Sequence, residues 1–346
     1  MTRKPVFQIP DIKNIGQLAE WLEITPHELK WLCNHVRSDN HVGNHSKHYV
    51  SRWMRKRTVG WRLIESPKPR LKTVQRKILH EILNAVPPHP LSCGFSVGRN
   101  IIDFVKPHIG RHVILKLDLK NFFTHVTIGR VHGLFRLLGY QRDVSHQLAM
   151  LTTVQSGEEI FGCAGQGLPS SSVVAVEYKR QLRRRHLPQG APTSPAIANL
   201  CAFRLDQRLS GLARSIGGVH YTRYADDLLF SGYRSFYRHT KTFNVVTGAI
   251  AIEEGFDLNF QKTRIADSSQ RQKAGGVVLN ARANLQRSEY DQLKAIVHNC
   301  SRFGVESQNR DDHPHFRQHV AGRIAWLELV NPTKGAKLRK KFESIE

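Results

Sequence analysis

The chain is organised around residues 219–231, where two adjacent carboxylates lie between two short apolar runs. The segment reads VHYTRYADDLLFS, with Asp226 and Asp227 near its centre. Its flanks are rich in aromatic and aliphatic residues and are bounded by glycine, which predicts a β-hairpin whose turn carries the acids. Neighbouring carboxylates repel each other unless a cation neutralises them, and Mg²⁺ binds carboxylate and phosphate oxygens. The segment therefore indicates either a metal site or, more plainly, a solvated turn.

A third acid lies upstream in a similar setting. Residues 113–126 read VILKLDLKNFFTHV, in which an apolar run predicts a strand, Asp118 lies near its end, and two phenylalanines follow. Together with the Asp226–Asp227 pair, Asp118 could form a cage of three carboxylates for two metal ions. That arrangement serves phosphoryl transfer in polymerases.

Between these acids, residues 187–200 read LPQGAPTSPAIANL. The Pro-Gln-Gly-Ala-Pro start predicts a loop, and Pro195 then opens an apolar, alanine-rich helix at its first position. The segments LDLKNFF, LPQGAPTSP and YADD, in this order, resemble motifs A, B and C of reverse transcriptases. Their wording is most similar to that of the bacterial retron-type enzymes.

The resemblance implies an α+β fold, namely a right-hand polymerase with an antiparallel palm sheet, fingers and a short helical thumb. The implied domains are an N-terminal helical extension over 1–50, fingers over 51–112, a palm over 113–280 with finger insertions around 127–190, and a helical thumb over 281–346. Periodicity alone predicts only the α+β class.

The resemblance also implies the cofactor and the catalytic groups. Asp118, Asp226 and Asp227 are the expected ligands of two Mg²⁺ ions, for which Mn²⁺ can substitute. Lys262, in the segment LNFQKT, corresponds to the family's candidate proton donor to the leaving pyrophosphate, with a surface lysine as the alternative.

Further residues are expected to contact substrates. The nucleotide-binding candidates are Arg62, Lys72, Leu119, Phe123, Gln189 and Gly190. The nucleic-acid-binding candidates are Arg183, Arg184, Arg185 and Arg223. The plainer alternative for such basic residues is a solvated surface.

Phe123 lies five residues after Asp118, where the family places an aromatic ring under the sugar. Such a ring leaves no room for a 2′-hydroxyl and offers it no hydrogen bond, so it would select deoxyribonucleotides. The alternative is that Phe123 packs in the palm core. Its neighbour Phe122 is the candidate for that role.

The formal net charge of +24, from 52 basic and 28 acidic residues, indicates a polyanionic partner. Nucleic acid is favoured over a membrane surface, since no apolar run approaches the roughly 20 residues that span a bilayer. The N-terminus lacks the apolar core of a signal peptide. Five scattered cysteines without a CxxC pair indicate reduced thiols, and hence a cytoplasmic protein.

Three further patterns in the sequence lie outside these motifs. Residues 94–98, GFSVG, match the nucleophile elbow of serine hydrolases, but the proline-rich segment before them is not a central strand. A cluster of histidines with Cys33 (His35, His41, His45 and His48) permits a zinc site, although its spacing fits a polar loop better. Residues 152–181 are expected to be irregular.

The resemblance therefore implies an RNA-directed DNA polymerase of retron type that acts in anti-phage defence. Its expected partners are a structured non-coding RNA as template and primer, the RNA–DNA hybrid and dNTPs, with an effector protein as a further candidate and no membrane. The alternatives are another bacterial defence or mobile-element (group II-intron-like) reverse transcriptase, a catalytically idle RNA-binding scaffold, and a basic nuclease.

Overall fold

The computed structural model describes residues 7–33, 48–56, 60–157, 160 and 173–345. Its strands in chain order are β1 (Tyr49–Arg55), β2 (Trp61–Pro67), β3 (Val113–Lys120), β4 (His220–Tyr224), β5 (Asp227–Gly232), β6 (Asp257–Leu258), β7 (Arg264–Asp267), β8 (Lys273–Ala274) and β9 (Val277–Val278). Its helices are α1 (Ile15–Trp21), α2 (Pro26–Cys33), α3 (Pro69–Glu81), α4 (Ile101–Val105), α5 (Ile128–Leu137), α6 (Arg142–Thr152), α7 (Val173–Arg183), α8 (Ser194–Cys201), α9 (Phe203–Ile216), α10 (Phe236–Glu253), α11 (Arg287–Phe303), α12 (Phe316–Val330) and α13 (Pro332–Glu343).

The described residues form two compact units, each assembled from three stretches of the chain. The first unit draws on Met1–Val97, Leu119–Arg208 and Thr247–Leu258. The second draws on Gly98–Asp118, Leu209–Val246 and Asn259–Glu346. No helix in the described part of the chain has the length and apolarity that crossing a bilayer requires.

The second unit contains the sheet that carries the three acids. Its central strand β3 pairs antiparallel with β5 on one edge and with β7 on the other, and β4 pairs antiparallel with β5. Successive side chains of a strand point to opposite faces, so the consecutive buried residues of β3 mean that both faces are covered. The predicted α+β class with an antiparallel palm sheet is confirmed. The predicted division into extension, fingers, palm and thumb stays a prediction.

The predicted hairpin is formed by β4 and β5. Tyr224 lies opposite Asp227, so the turn contains only Ala225 and Asp226. Ala225 has a φ of 56°, in the left-handed region that costs a side-chain-bearing residue energy. Arg223 supports this turn from inside, because its guanidinium donates a hydrogen bond to the carbonyl oxygen of Ala225 at 3.0 Å.

In the first unit, α6 contacts α1, α2, α3 and α5, and α3 also contacts β2. The predicted N-terminal helices are present as α1 and α2, and the amide of Glu28 donates to Thr25 Oγ1 at 3.1 Å, as expected for a capped start. Leu18 and Leu29 are buried on these helices. The expectation of an irregular segment over 152–181 is wrong from Val173 onward, where α7 begins, while 158–159 and 161–172 lie outside the described residues.

A buried histidine joins the sheet of the second unit to the segment before it. His108 Nδ1 lies 2.7 Å from Ser231 Oγ, and its Nε2 lies 2.8 Å from Thr222 Oγ1. The Thr222 hydroxyl donates its proton to the carbonyl oxygen of Phe104, so His108 Nε2 must be the donor to Thr222. Burial disfavours the charged imidazolium and lowers the pKa of His108 to about 3.

We expect this histidine to make the protein less stable as the pH falls. Below pH 6.5, the ordinary pKa of histidine, His108 is protonated in the unfolded chain but stays neutral in the folded protein. The free energy of unfolding therefore declines by up to about 1.4 kcal/mol per pH unit as the pH falls toward 3. Chemical denaturation at pH 7, 6 and 5 measures this slope. His108→Gln should flatten it, and substitution of exposed His112 by Gln should not. Equal slopes in all three proteins would contradict the prediction.

Candidate active site

The three predicted catalytic acids lie at one end of the β3–β5 pair. Asp118 on β3 is buried and lies directly opposite Asp227, the first residue of β5. Asp226 precedes it in the two-residue turn. The second unit therefore brings together carboxylates that are 108 and 109 positions apart in the sequence.

Two lysines neutralise part of this negative charge. Lys262 Nζ lies 3.0 Å from both carboxylate oxygens of Asp118. Lys116 Nζ lies 2.9 Å from Asp227 Oδ1. Among the described residues, no basic side chain makes an ion pair with Asp226. Burial, followed by the charges of Asp118 and Asp227, raises the pKa of Asp226 to about 6, against the lowering effect of Lys262.

The donor chemistry of this site fits Mg²⁺. Three carboxylates offer only oxygen ligands, which Mg²⁺ prefers, and the charges of Asp118 and Asp227 add to burial in raising the pKa of Asp226. Among the described residues, however, no group of three His, Cys, Asp or Glu side chains is gathered closely enough to hold an ion. In their present positions, Asp118 and Asp227 each make an ion pair with a lysine instead.

The first unit contains a cavity of about 370 Å³ that gathers four of the six predicted nucleotide-binding residues. These four are Lys72, Phe123, Gln189 and Gly190. The remaining lining residues are Arg76, Phe95, Ala191, Pro192, Ser194 and Pro195. Cationic, aromatic and backbone groups thus share one concave surface, which suits a ligand with phosphates and a flat base.

The two neighbouring phenylalanines have different surroundings. Phe122 is buried and stacks on Phe256, with ring centroids 5.5 Å apart. Phe123 is half-exposed, lines the cavity, and lies 6.4 Å from the ring of Phe95. Strand β3 ends at Lys120 and Asn121 takes a φ of 48°, so the chain turns there and strand alternation does not set these directions.

The other residues predicted to contact nucleotide or nucleic acid differ in how exposed they are to solvent. Arg62 is exposed on β2, and the side chain of Leu119 is buried; neither lines the cavity. Arg183 and Arg184 are exposed at the end of α7. Arg185 is half-buried and donates to the carbonyl oxygens of Met150 and Thr153.

The prediction that Arg223 contacts nucleic acid is wrong. Its side chain is fully buried and serves the Ala225 carbonyl within the hairpin turn. A cation in this position is retained by hydrogen bonds inside the protein and presents no charge to a phosphate.

Some site residues were missed from the sequence although signals existed. Lys116 lies two positions before Asp118, on the same face of a strand, which places it diagonally across from Asp227. Arg76 follows Lys72 by one helical turn on α3. Phe95 had no signal beyond its place in the GFSVG segment.

The alternatives for metal and hydrolase sites gain no support from the described residues. His48 contacts the carbonyl oxygen of Trp31 at 2.9 Å, and burial raises the pKa of the Cys33 thiol to about 12, which disfavours a thiolate ligand. His35, His41 and His45 lie outside the described residues. The Ser96 hydroxyl donates to the carbonyl oxygen of Ser92, and the element that comes before this segment is a short helical turn over Leu83–Ala85, not the strand that a nucleophile elbow needs.

Comparison with known proteins identifies the family. Residues 54–277 match the family described as reverse transcriptase (RNA-dependent DNA polymerase), which covers the cavity residues and all three acids. Over most of the chain, curated retron enzymes are more than 30% identical. The chain belongs to the retron-type reverse transcriptases.

Three retron relatives show the extent of this likeness. The retron Mx65 reverse transcriptase of Myxococcus xanthus is 37% identical over 85% of this chain and 64% of its own length. The retron Mx162 enzyme of the same organism is 33% identical over 98% of this chain and 68% of its own. The retron Ec86 enzyme of Escherichia coli is 34% identical over 82% of this chain and 77% of its own length. The chain thus spans only about two thirds of the length of the two Myxococcus retron enzymes.

Solved structures show a weaker likeness. A telomerase from Candida albicans in complex with a fragment of telomeric RNA aligns with a TM-score of 0.41 and 15% identity, over 84% of this chain and 54% of that one.

The surroundings of the two phenylalanines predict different effects of their substitution. Phe123→Ala should increase incorporation of ribonucleotides relative to deoxyribonucleotides, because it removes the ring that lines the cavity. Single-nucleotide extension with matched ribo- and deoxyribonucleotides measures the ratio.

The matched control is Phe122→Ala, which should cost about 3–5 kcal/mol of stability through loss of a buried ring and leave the ratio unchanged. An unchanged ratio in the Phe123 variant, with both activities falling together, would show that Phe123 is only a packing residue.

Proposed function

We propose that this retron-type reverse transcriptase copies a structured non-coding RNA into DNA. The observation that carries the proposal is the placement of Asp118 directly opposite Asp227, with Asp226 beside them, in a chain that belongs to this family. Carboxylates held close together in this way suit nucleotidyl transfer with divalent metals, on which reverse transcriptases generally depend.

Asp118, Asp226 and Asp227 would hold two Mg²⁺ ions, or Mn²⁺ in their place. When bound, such ions neutralise charge on the phosphates and acidify the primer hydroxyl. The protein's own part in the reaction is positioning and proton supply. Lys262, which lies 3.0 Å from Asp118, would be freed from that carboxylate and could then protonate the leaving pyrophosphate.

The incoming dNTP would occupy the cavity of the first unit. Lys72 and Arg76 are exposed at the cavity and suit the triphosphate, with Arg62 on β2 as a further phosphate ligand. Phe123 would lie against the sugar, and Gln189 and Gly190 would line the nascent base pair. Leu119, whose side chain is buried, would contribute its backbone alone.

The strong positive charge supports an RNA partner. The net charge of +24 and the exposed Arg183 and Arg184 suit the phosphates of a structured template–primer and of the RNA–DNA hybrid. We place the reaction in the cytoplasm, where scattered cysteines stay reduced. A role in anti-phage defence with an effector protein follows from retron kinship alone.

Two other functions remain as alternatives. One is a catalytically idle RNA-binding scaffold. Such a protein would not need three acids at the end of the β3–β5 pair, with Lys262 paired to Asp118, so this arrangement favours an enzyme. Another bacterial defence or mobile-element reverse transcriptase would use the same site. Sequencing the nucleic acid that copurifies with the protein separates these lineages.

Removing two of the acids should abolish synthesis while leaving RNA binding intact. In the combined Asp226→Asn and Asp227→Asn variant, the amides keep the shape of the turn but no longer carry charge for a divalent ion. We expect no Mg²⁺-dependent extension of a DNA product on an RNA template, measured with labelled dNTPs. The control measurement is RNA affinity by filter binding, which should match that of the unchanged protein. Full synthesis by the double variant would falsify the proposed mechanism.

The logarithm of the affinity for structured RNA should fall linearly with the logarithm of the salt concentration, because each phosphate contact releases counterions. The slope of this line reports the number of contacts. About six contacts correspond to a loss of about 10³ between 50 and 200 mM salt. Arg183→Ala combined with Arg184→Ala should reduce the slope by about two.

Arg208→Ala is the matched control for this experiment. Arg208 is already paired with Glu253 and Glu254, so the slope should not change. A flat salt response in the unchanged protein would contradict electrostatic binding.

A further inference from the structure

A buried polar cluster in the first unit holds the segment that leads into the cavity. Glu65, Ser156 and His186 are each almost fully buried, although they come from β2, from the stretch after α6 and from the stretch after α7. Glu65 Oε2 lies 3.0 Å from His186 Nε2, and the Ser156 hydroxyl donates to Glu65 Oε1 at 2.8 Å. Buried charge is costly unless it is paired and hydrogen-bonded, and here both carboxylate oxygens have partners.

The hydrogen bonds fix the number of protons in this pair. His186 Nδ1 lies 2.7 Å from the carbonyl oxygen of Arg184, which can only accept, so Nδ1 must carry a proton. The Ser156 hydroxyl already donates to Glu65, so the contact between His186 and Glu65 needs one further proton. The pair therefore holds two protons in total, either as carboxylate and imidazolium or as carboxylic acid and imidazole.

Glu65 and His186 also hold the 187–193 loop, which contributes four of the ten residues that line the cavity, namely Gln189, Gly190, Ala191 and Pro192. The amide of Glu65 donates to the carbonyl oxygen of Gln189 at 2.9 Å. The main chain of His186 exchanges two hydrogen bonds of 2.9 Å with Val154. Glu65 thus contacts the loop through its backbone and the segment before the loop through its side chain.

Gly190 shows how close this approach is. A Cβ built on Gly190 would come within 3.0 Å of the carbonyl oxygen of Glu65 and 3.2 Å of Ser66 Oγ. Its φ of +139° is also one that residues with side chains rarely adopt. The wall of the cavity therefore lies directly on the backbone of the strand that also carries Arg62.

We propose that the Glu65–His186 pair is a positioning device that fixes the 187–193 loop on β2, and so sets the width of the cavity that receives the nucleotide. Neither side chain lines the cavity, so the pair acts through Gln189 and Gly190. Loss of the pair releases the loop and weakens nucleotide binding, while the acids of the second unit are left unchanged. This inference rests on the proposed function for the identity of the ligand, a dNTP.

The test compares the unchanged chain with four variants, each of which carries a single substitution. Glu65→Ala removes the pair, and Ser156→Ala removes only one of its hydrogen bonds. Glu65→Gln is the conservative variant, because its amide can accept from Ser156 and donate to a neutral His186. Leu18→Ala is the stability control, because it removes a buried leucine side chain on α1 of the same unit and so destabilises the unit without touching the pair.

Steady-state DNA synthesis on an RNA template measures the effect on the substrate. We expect Glu65→Ala to raise KM for dTTP about tenfold and to leave kcat within about threefold, since the interaction lost affects binding and not the chemical step. Ser156→Ala should shift KM in the same direction by a smaller factor. Glu65→Gln and Leu18→Ala should keep the KM of the unchanged protein.

Amide hydrogen exchange supplies a measurement that needs no activity. Exchange in residues 187–191 should rise in Glu65→Ala and stay unchanged in Leu18→Ala and Glu65→Gln. If Glu65→Ala matches Leu18→Ala in both exchange and KM, the pair is only a contribution to stability and the inference is overturned. If the unchanged protein makes no DNA, the proposed function fails, and the exchange measurement still decides whether the pair fixes the loop.

Discussion

The antiparallel pairing of β3 with β5 is the constraint on which the candidate active site depends. Its register places Asp118 directly opposite Asp227, at a cost in repulsion that two lysines reduce. A shift of one residue would turn Asp118 to the other face of the sheet. Because both faces of these strands are buried, the same slip would also displace packed side chains on each face, which opposes it.

A second constraint is the close approach of the 187–193 loop to β2 in the first unit. The loop forms the wall of the cavity only because Gly190 lies against the backbone of Glu65 without a side chain between them. The three acids and the cavity are therefore held in place by different interactions. The acids depend on strand register, whereas the cavity depends on backbone contact and a buried polar cluster.

Much of the local structure was predictable. The flanks of the Asp226–Asp227 pair indicated the hairpin, and Pro195 indicated the start of α8, because these signals act between residues close in the chain. The failures have the same origin. Helix α7 begins in a valine-rich stretch that has low helix propensity, and Arg223 was assigned to nucleic acid because nothing local reveals that its strand turns it inward.

The sequence by itself determined the family, the three acids, the strand and hairpin that carry them, and the basic character that suits RNA. Only the tertiary structure decided which polar side chains meet. Lys262 is 144 positions from Asp118, and His186 is 121 positions from Glu65. Periodicity and turn signals report on neighbours along the chain, whereas such contacts arise when distant segments pack and each buried charge must find a partner.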